Sequence, residues 1–143
     1  WEPLLGQRST VITPHPGEFA RLSGVSADDR TAQRRAAATL VQQIPGLVIV
    51  LKGAPTSVFA DKREWINETG NPAMATAGAG DVLTGVIAAL IGQGLSPVDA
   101  ARLGVYVHGL AGDLAAKEIG PRGVVATDLI ERLPRALQTC ERS

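Results

Sequence analysis

Apolar and polar positions along this chain switch between a helical period and short continuous runs. Val11-Ile12-Thr13 is a brief β-favouring run, which predicts a first strand. Asp28 to Gln43 carries Ala32, Ala36, Leu40 and Ile44 at helical spacing, with Asp28 or Asp29 placed to cap it. Pro45-Gly46 closes that helix, and Leu47 to Leu51 follows as unbroken apolar sequence, the mark of a strand buried on both faces. Ser57 to Ala60 predicts a further strand, Asp61-Lys62 a hairpin turn, and Glu64 to Asn67 the returning strand. Helix, tight turn and buried strand in succession make an α/β pattern.

The second half of the chain reads as helices. Val82, Leu83, Val86, Ile87, Leu90 and Ile91 form one face of a helix that begins at Asp81. Gly92 to Ser96 interrupts the pattern, Ser96 is placed as the next N-cap, and Pro97 fits the first turn after it. Ala100, Leu103, Val107, Leu110, Ala111 and Leu114 line that helix, while Ala101, Gly104, Ala115 and Ala116 keep its other sides small. A helix of this kind packs between neighbours, and His108 within it reads as a satisfied core or interface histidine. After the Gly120 to Gly123 loop, Thr127 is expected to cap a last helix containing Leu129, Ile130, Leu133 and Leu137. Pro134 inside it should bend or split it.

Composition narrows the class. The 143 residues are 45 % hydrophobic and carry 14 basic and 14 acidic side chains, so the net charge is zero. Those values fit a single soluble globular domain and give no basic patch for nucleic acid. The pair Arg34-Arg35 falls in the expected helix, where a solvated face accounts for it. No run of about 18 apolar residues suggests a membrane span, and no signal peptide is visible. One cysteine, Cys140, allows neither an internal disulfide nor a cysteine metal cluster, so a reducing, cytoplasmic setting is expected.

Chemistry concentrates in three loops. Gly70, Gly78 and Gly80 punctuate the approach to the helix at Asp81, and glycine leaves successive amides uncovered where a helix start has unpaired donors. That is an anion site suited to a phosphoryl group. Asp81 beside it reads either as an N-cap or as a general base for a substrate hydroxyl. Lys52 leaves the buried strand either as an exposed terminator or as a ligand contact. In Pro14 to Glu18, two prolines force an extended path, placing His15 and Glu18 on a strand-to-helix loop of the sort where α/β ligands bind. Taken alone, His15 is a surface imidazole and Glu18 a carboxylate favoured by a helix dipole. Trp65 could stack on an adenine, although an aromatic in a strand usually packs.

The run Ala75 to Asp81 resembles the Gly-x-Gly-Asp signature of the ribokinase-like superfamily, and the longer run Gly70 to Gly85 is similar to its ADP/ATP-dependent NAD(P)H-hydrate dehydratases. Thr13 to Glu18 and Lys52-Gly-x-x-Thr56 match the same branch. Two departures are Ala73 and Ala77, where glycine is usual or common in that branch. The resemblance implies a three-layer α/β/α fold of which residues 1–143 form the C-terminal half of the usual domain. It implies that Asp81 takes the hydroxyl proton and contacts substrate, and that Gly78, Ala79 and Gly80 form the anion hole. Lys52, Gly53, Ala54, Pro55, Thr56 and Gly80 would bind the nucleotide, His15 the hydrated nicotinamide, and Glu18 a Mg²⁺ ion indirectly through water. Related kinases have Asn where His15 stands.

The implied activity is ADP- or ATP-dependent dehydration of the hydrates NADHX and NADPHX, by phosphorylating their hydroxyl and expelling phosphate. Implied partners are those hydrates, an adenine nucleotide and further copies of the chain in a homo-oligomer, with no nucleic acid and no membrane. The resemblance leaves open a missing N-terminal half and a fused epimerase domain. A ribokinase-like alcohol kinase and a truncated, non-catalytic nucleotide-binding or assembly module stand as alternatives.

Overall fold

A computed structural model describes residues 9–141, and the chain divides into two compact units after Asn67. The first holds the sheet. Its elements are strand β1 (Thr10–Ile12), helices α1 (Pro16–Ser23) and α2 (Arg30–Gln43), and strands β2 (Leu47–Leu51), β3 (Ser57–Ala60) and β4 (Arg63–Ile66). The strands lie in the order β1-β2-β3-β4. β1 runs parallel to β2 with Val11 opposite Val48, and the two later pairings are antiparallel.

All five residues of β2 are buried, as their unbroken apolar sequence predicts. Alternate positions of that strand, Leu47, Ile49 and Leu51, join Phe59 of β3 in a core with Phe19 of α1, Ala37 and Val41 of α2, and Ile44 just after it. Phe19 is fully buried, and removing a side chain of that size from water contributes about 1.5–3 kcal/mol.

The stripe that α2 buries is Gln33, Ala37 and Val41, one position round from the expected Ala32, Ala36 and Leu40, which are half-buried flanks. A polar residue leads the true stripe, so an apolar count misses its start. Asp29 is the cap, its side chain accepting the Ala32 amide at 2.8 Å. β4 begins one residue earlier than expected because the two-residue turn pairs Ala60 with Arg63. Asp61 in that turn has φ 52°, a left-handed conformation that Asp tolerates better than most residues.

The second unit is helical. A 3₁₀ turn (Pro72–Met74) precedes α3 (Ala79–Gly92), α4 (Pro97–Ile119) and α5 (Ala126–Glu141). Helix α4 packs against α3, α5 and the 3₁₀ turn, and its buried residues include Ala100, Ala101, Gly104, Val105, Val107, His108, Gly109 and Ala111. Ser96 caps it, accepting the Asp99 amide at 3.1 Å. Small residues bring the neighbouring chain close. A Cβ at Gly104 would stand 2.7 Å from Ile87 Cγ1, and one at Gly109 would stand 2.7 Å from the backbone carbon of Thr69.

Helix α5 starts one residue before Thr127, so Thr127 is not its cap. Instead the Asp128 carboxylate accepts the Val125 amide at 2.8 Å, the carboxylate half of a capping box. Nor does Pro134 split the helix, which runs through it without a break. Pro134 and Ile130 are both exposed, so the carbonyl that loses its amide partner faces water.

These contacts separate two glycine substitutions. Gly109→Ala, which drives a methyl into Thr69, should destabilise the chain by about 1–3 kcal/mol. Gly85→Ala, on an exposed helix position with open space around it, should stabilise by up to ~1 kcal/mol. Urea unfolding of the two variants measures both signs.

Candidate functional site

In the first unit, β1 delivers the chain through Pro14 into α1. His15 lies in extended backbone (φ −78°, ψ 168°) as the N-cap, with Pro16 pre-set for the first helical position. Its Nδ1 accepts the amides of Gly17 at 3.1 Å and Glu18 at 3.2 Å. The Glu18 carboxylate in turn accepts the His15 amide at 2.7 Å, completing a capping box in which an imidazole replaces the usual hydroxyl. His15 and Glu18 are thus the cap and first turn of a helix rather than residues of a free loop. With Nδ1 accepting, a neutral His15 ring carries its proton on Nε2, which lies 3.3 Å from Glu18 Oε1.

Lys52 joins this pair, its Nζ 3.7 Å from Glu18 Oε2. The Glu18 carboxyl is held below its usual range chiefly by the His15 amide; burial opposes the shift, while Lys52 and the His15 ring add to it. All three groups keep contact with solvent, the side chains of His15 and Glu18 being 52 % and 45 % exposed.

The segment Lys52 to Thr56 leaves β2 beside this cluster. The Lys52 amide donates to the Pro14 carbonyl at 2.9 Å, carrying the β1–β2 ladder one step further. Gly53, Ala54 and Pro55 are exposed, and the Thr56 hydroxyl donates to the Gly53 carbonyl at 3.0 Å. Two residues with no role in the sequence motifs hold these loops. Arg30 donates to the carbonyls of Lys52, Leu51 and Pro55, and the fully buried Gln33 donates to that of Pro16 at 2.8 Å. Their partners lie 17 to 25 positions away, beyond the reach of any local spacing rule.

In the second unit, the chain reaches α3 through Gly70 to Gly78. The Asp113 carboxylate of α4 accepts the Gly70 amide at 3.0 Å and the Asn71 side-chain amide at 2.8 Å, and Thr69 donates to the Tyr106 carbonyl. Asn71 in turn caps the 3₁₀ turn, accepting the Ala73 amide. Asp113 anchors this loop, and sequence reasoning missed it because it lies 43 positions from Gly70.

Gly78, not Asp81, is the N-cap of α3, in a left-handed conformation with φ 86°. No side chain caps it. The Ala79 amide donates to the Thr76 carbonyl at 3.3 Å and the Asp81 amide to the Gly78 carbonyl at 3.1 Å. Among the described residues the amides of Gly78 and Gly80 take no partner. So Ala79, one of the three expected anion-hole donors, is already engaged, and the other two remain available.

Asp81 stands in the first turn with its carboxylate exposed and, among the described residues, unpartnered. His108 is buried and bonds the Ala79 carbonyl at 2.9 Å, the satisfied core histidine expected of it. Ala73 and Ala77 both have ordinary negative φ, so the backbone does not require glycine at either place. The structure therefore gathers His15, Glu18 and Lys52 in the first unit, and Gly78, Gly80 and Asp81 in the second. Among the described residues no three His, Cys, Asp or Glu side chains converge as a metal cluster, and no helix is long and apolar enough to cross a membrane.

Comparison with known proteins places the chain in a class. A ribokinase-like superfamily protein of Enterococcus faecalis V583 superposes with a TM-score of 0.76 at 35 % identity, over 90 % of this chain and 44 % of its own. The chain has a ribokinase-like α/β fold. The profile of the NAD(P)H-hydrate dehydratase family matches residues 5–135, and the chain belongs to that family. The bifunctional NAD(P)H-hydrate repair enzyme of Moorella thermoacetica is 51 % identical over 132 residues, 92 % of this chain and 25 % of that protein. The ADP/ATP-dependent NAD(P)H-hydrate dehydratase of Bacillus subtilis, co-crystallised with ATP and Mg²⁺, superposes with a TM-score of 0.82 at 36 % identity. That match covers 90 % of this chain and 47 % of the Bacillus chain, so this sequence spans about half of the solved relative and a quarter of the Moorella one.

The capping box makes a pH prediction. A carboxyl whose folded pKa lies below its unfolded value contributes stability that is present above the unfolded pKa, near 4.5 for Glu, and is lost as pH falls through the lowered folded value. Glu18→Gln should therefore cost stability at pH 7, by less than about 1 kcal/mol for so exposed a group, with the difference shrinking below pH ~4.5. Urea unfolding of both proteins at pH 7 and pH 3 checks it, and equal differences at the two pH values would contradict it.

Proposed function

We propose that this chain forms the C-terminal portion of a dehydratase that uses ADP or ATP to return NAD(P)H hydrate to NAD(P)H. The observation that carries the proposal is the start of α3, where Asp81 is exposed and, among the described residues, unpartnered, next to the open amides of Gly78 and Gly80. A helix N-terminus with uncovered donors favours a phosphoryl group, and a carboxylate there can accept a proton from an alcohol.

The chemistry follows from the leaving group. Hydroxide leaves poorly, so the hydrate's hydroxyl is first phosphorylated: Asp81 takes its proton as the oxygen attacks the terminal phosphorus of the nucleotide. The bond from that phosphorus to its bridging oxygen breaks, and the shortened nucleotide departs. Loss of a ring proton and of phosphate then restores the double bond. Amides of Gly78 and Gly80 would meet the charge on the transferring group, with Ala79 contributing only if its weak bond to Thr76 opens.

In the first unit, Lys52 and the backbone of Gly53 to Thr56 would hold the nucleotide, and the exposed Nε2 edge of His15 would contact the nicotinamide hydrate. Mg²⁺ in such reactions neutralises charge across the nucleotide's phosphates. Glu18 suits an indirect part in holding it, since its carboxylate is kept ionised and each oxygen retains accepting capacity toward water. Cytoplasmic location and assembly into a homo-oligomer complete the proposal.

A second reading concerns residues 1–143 taken by themselves, which match 47 % of the Bacillus dehydratase. On that reading they bind nucleotide without turning over, and activity needs the rest of the domain. Incubating hydrated NADH and nucleotide with this chain, with and without the N-terminal half of a relative's domain, separates the two by recovery of NADH absorbance. In whichever preparation is active, Asp81→Asn should retain nucleotide binding and lose at least ~10²-fold in turnover. Turnover within twofold of the unsubstituted protein would remove Asp81 as the base.

A further inference from the structure

Arg30 is the first residue of α2, and its guanidinium donates to three main-chain carbonyls at and just after the end of β2. Nη1 donates to the Lys52 carbonyl at 3.0 Å, while Nη2 donates to those of Leu51 at 3.1 Å and Pro55 at 2.9 Å. In a trans peptide the C=O and the following N–H point in opposite directions. Turning the Lys52 carbonyl to Arg30 therefore turns the Gly53 amide away from it, and the Pro55 carbonyl does the same for Thr56. The Leu51 carbonyl gives an internal check, because its partner amide, that of Lys52, does point away and bonds Pro14 at 2.9 Å.

We infer that Arg30 is a positioning residue for the nucleotide, setting the Gly53 and Thr56 amides toward the ligand without touching it. The inference rests on the nucleotide-loop assignment proposed above. It also gives Gly53 a different reason from close approach to phosphates. A Cβ there would stand 2.8 Å from Arg30 Nη2 and would push the guanidinium off its carbonyls, while φ of 152° independently favours glycine. Arg30 is suited to the task because a planar fork can engage several carbonyls at once, which an ammonium cannot. Burial lowers its pKa and the neighbouring Arg34 adds to that, with Glu64 opposing; an arginine remains a cation regardless.

The test uses the whole chain, with Mg·ADP as probe in calorimetric titrations and amide NMR spectra of the nucleotide-free protein. In Arg30→Gln the Gly53 and Thr56 resonances should move while those of Val48 and Val50 in β2 stay, and Mg·ADP affinity should fall at least tenfold. Arg30→Lys, which keeps the charge and most of the stem, should recover less than half of that loss. It also supplies the same two readouts should the glutamine variant not fold. If an Arg30 variant with shifted amides binds within twofold of the native chain while Lys52→Ala loses tenfold, the positioning role is overturned and the nucleotide loop stands. Affinity unchanged in Lys52→Ala as well would overturn the nucleotide loop itself, and with it the role given to Arg30. Full affinity and unmoved amides in Arg30→Lys would show that charge, not the fork, matters, and would also overturn the proposal.

Discussion

Unpaired main-chain donors at the start of a helix are the constraint on which the rest of this molecule turns. Every α-helix begins with amides that lack a partner, and most proteins cover them with a side-chain cap. Helix α1 does so with His15, α2 with Asp29 and α4 with Ser96. Helix α3 does not: a left-handed glycine stands at its cap position and contributes no side chain. Leaving such donors open costs stability unless water or a ligand meets them, which is the physical ground for proposing an anion there.

The surrounding architecture keeps that exception in place. Asp113 fixes Gly70 and Asn71 from the side of α4, and glycine at 109 and 112 lets the Thr69–Met74 stretch lie against the helix. His108 secures the first carbonyl of α3. A comparable logic runs through the first unit, where the opening turn of α2 presents Arg30 to carbonyls at and after the end of β2 and Gln33 to the first carbonyl of α1. In both units, buried or half-buried polar groups on a helix set loops whose own residues then face outward.

What was legible in the sequence follows this division. Local rules found β2, the β3–β4 hairpin, the cap Ser96 and a cap at Asp28 or Asp29, because period and capping chemistry act within a few residues. They erred where a polar residue led a buried stripe, as Gln33 does in α2, and where a carboxylate one turn in did the capping, as Asp128 does in α5. The capping box of His15 and Glu18 was hidden because an imidazole rarely fills the hydroxyl's place. Arg30 and Asp113 were invisible for a different reason: each acts on backbone groups that only the folded chain brings near. Glycine spacing and loop position picked out the motif residues, resemblance supplied their expected roles, and the structure adds that one of them, Ala79, has its amide already engaged.

The central claim is that the open amides at the head of α3 receive the phosphoryl group beside Asp81. An amide NMR titration of the chain with Mg·ADP tests it most directly. The account predicts large downfield shifts at Gly78 and Gly80, with a smaller one at Ala79. Saturable nucleotide binding that leaves all three resonances in place would contradict it.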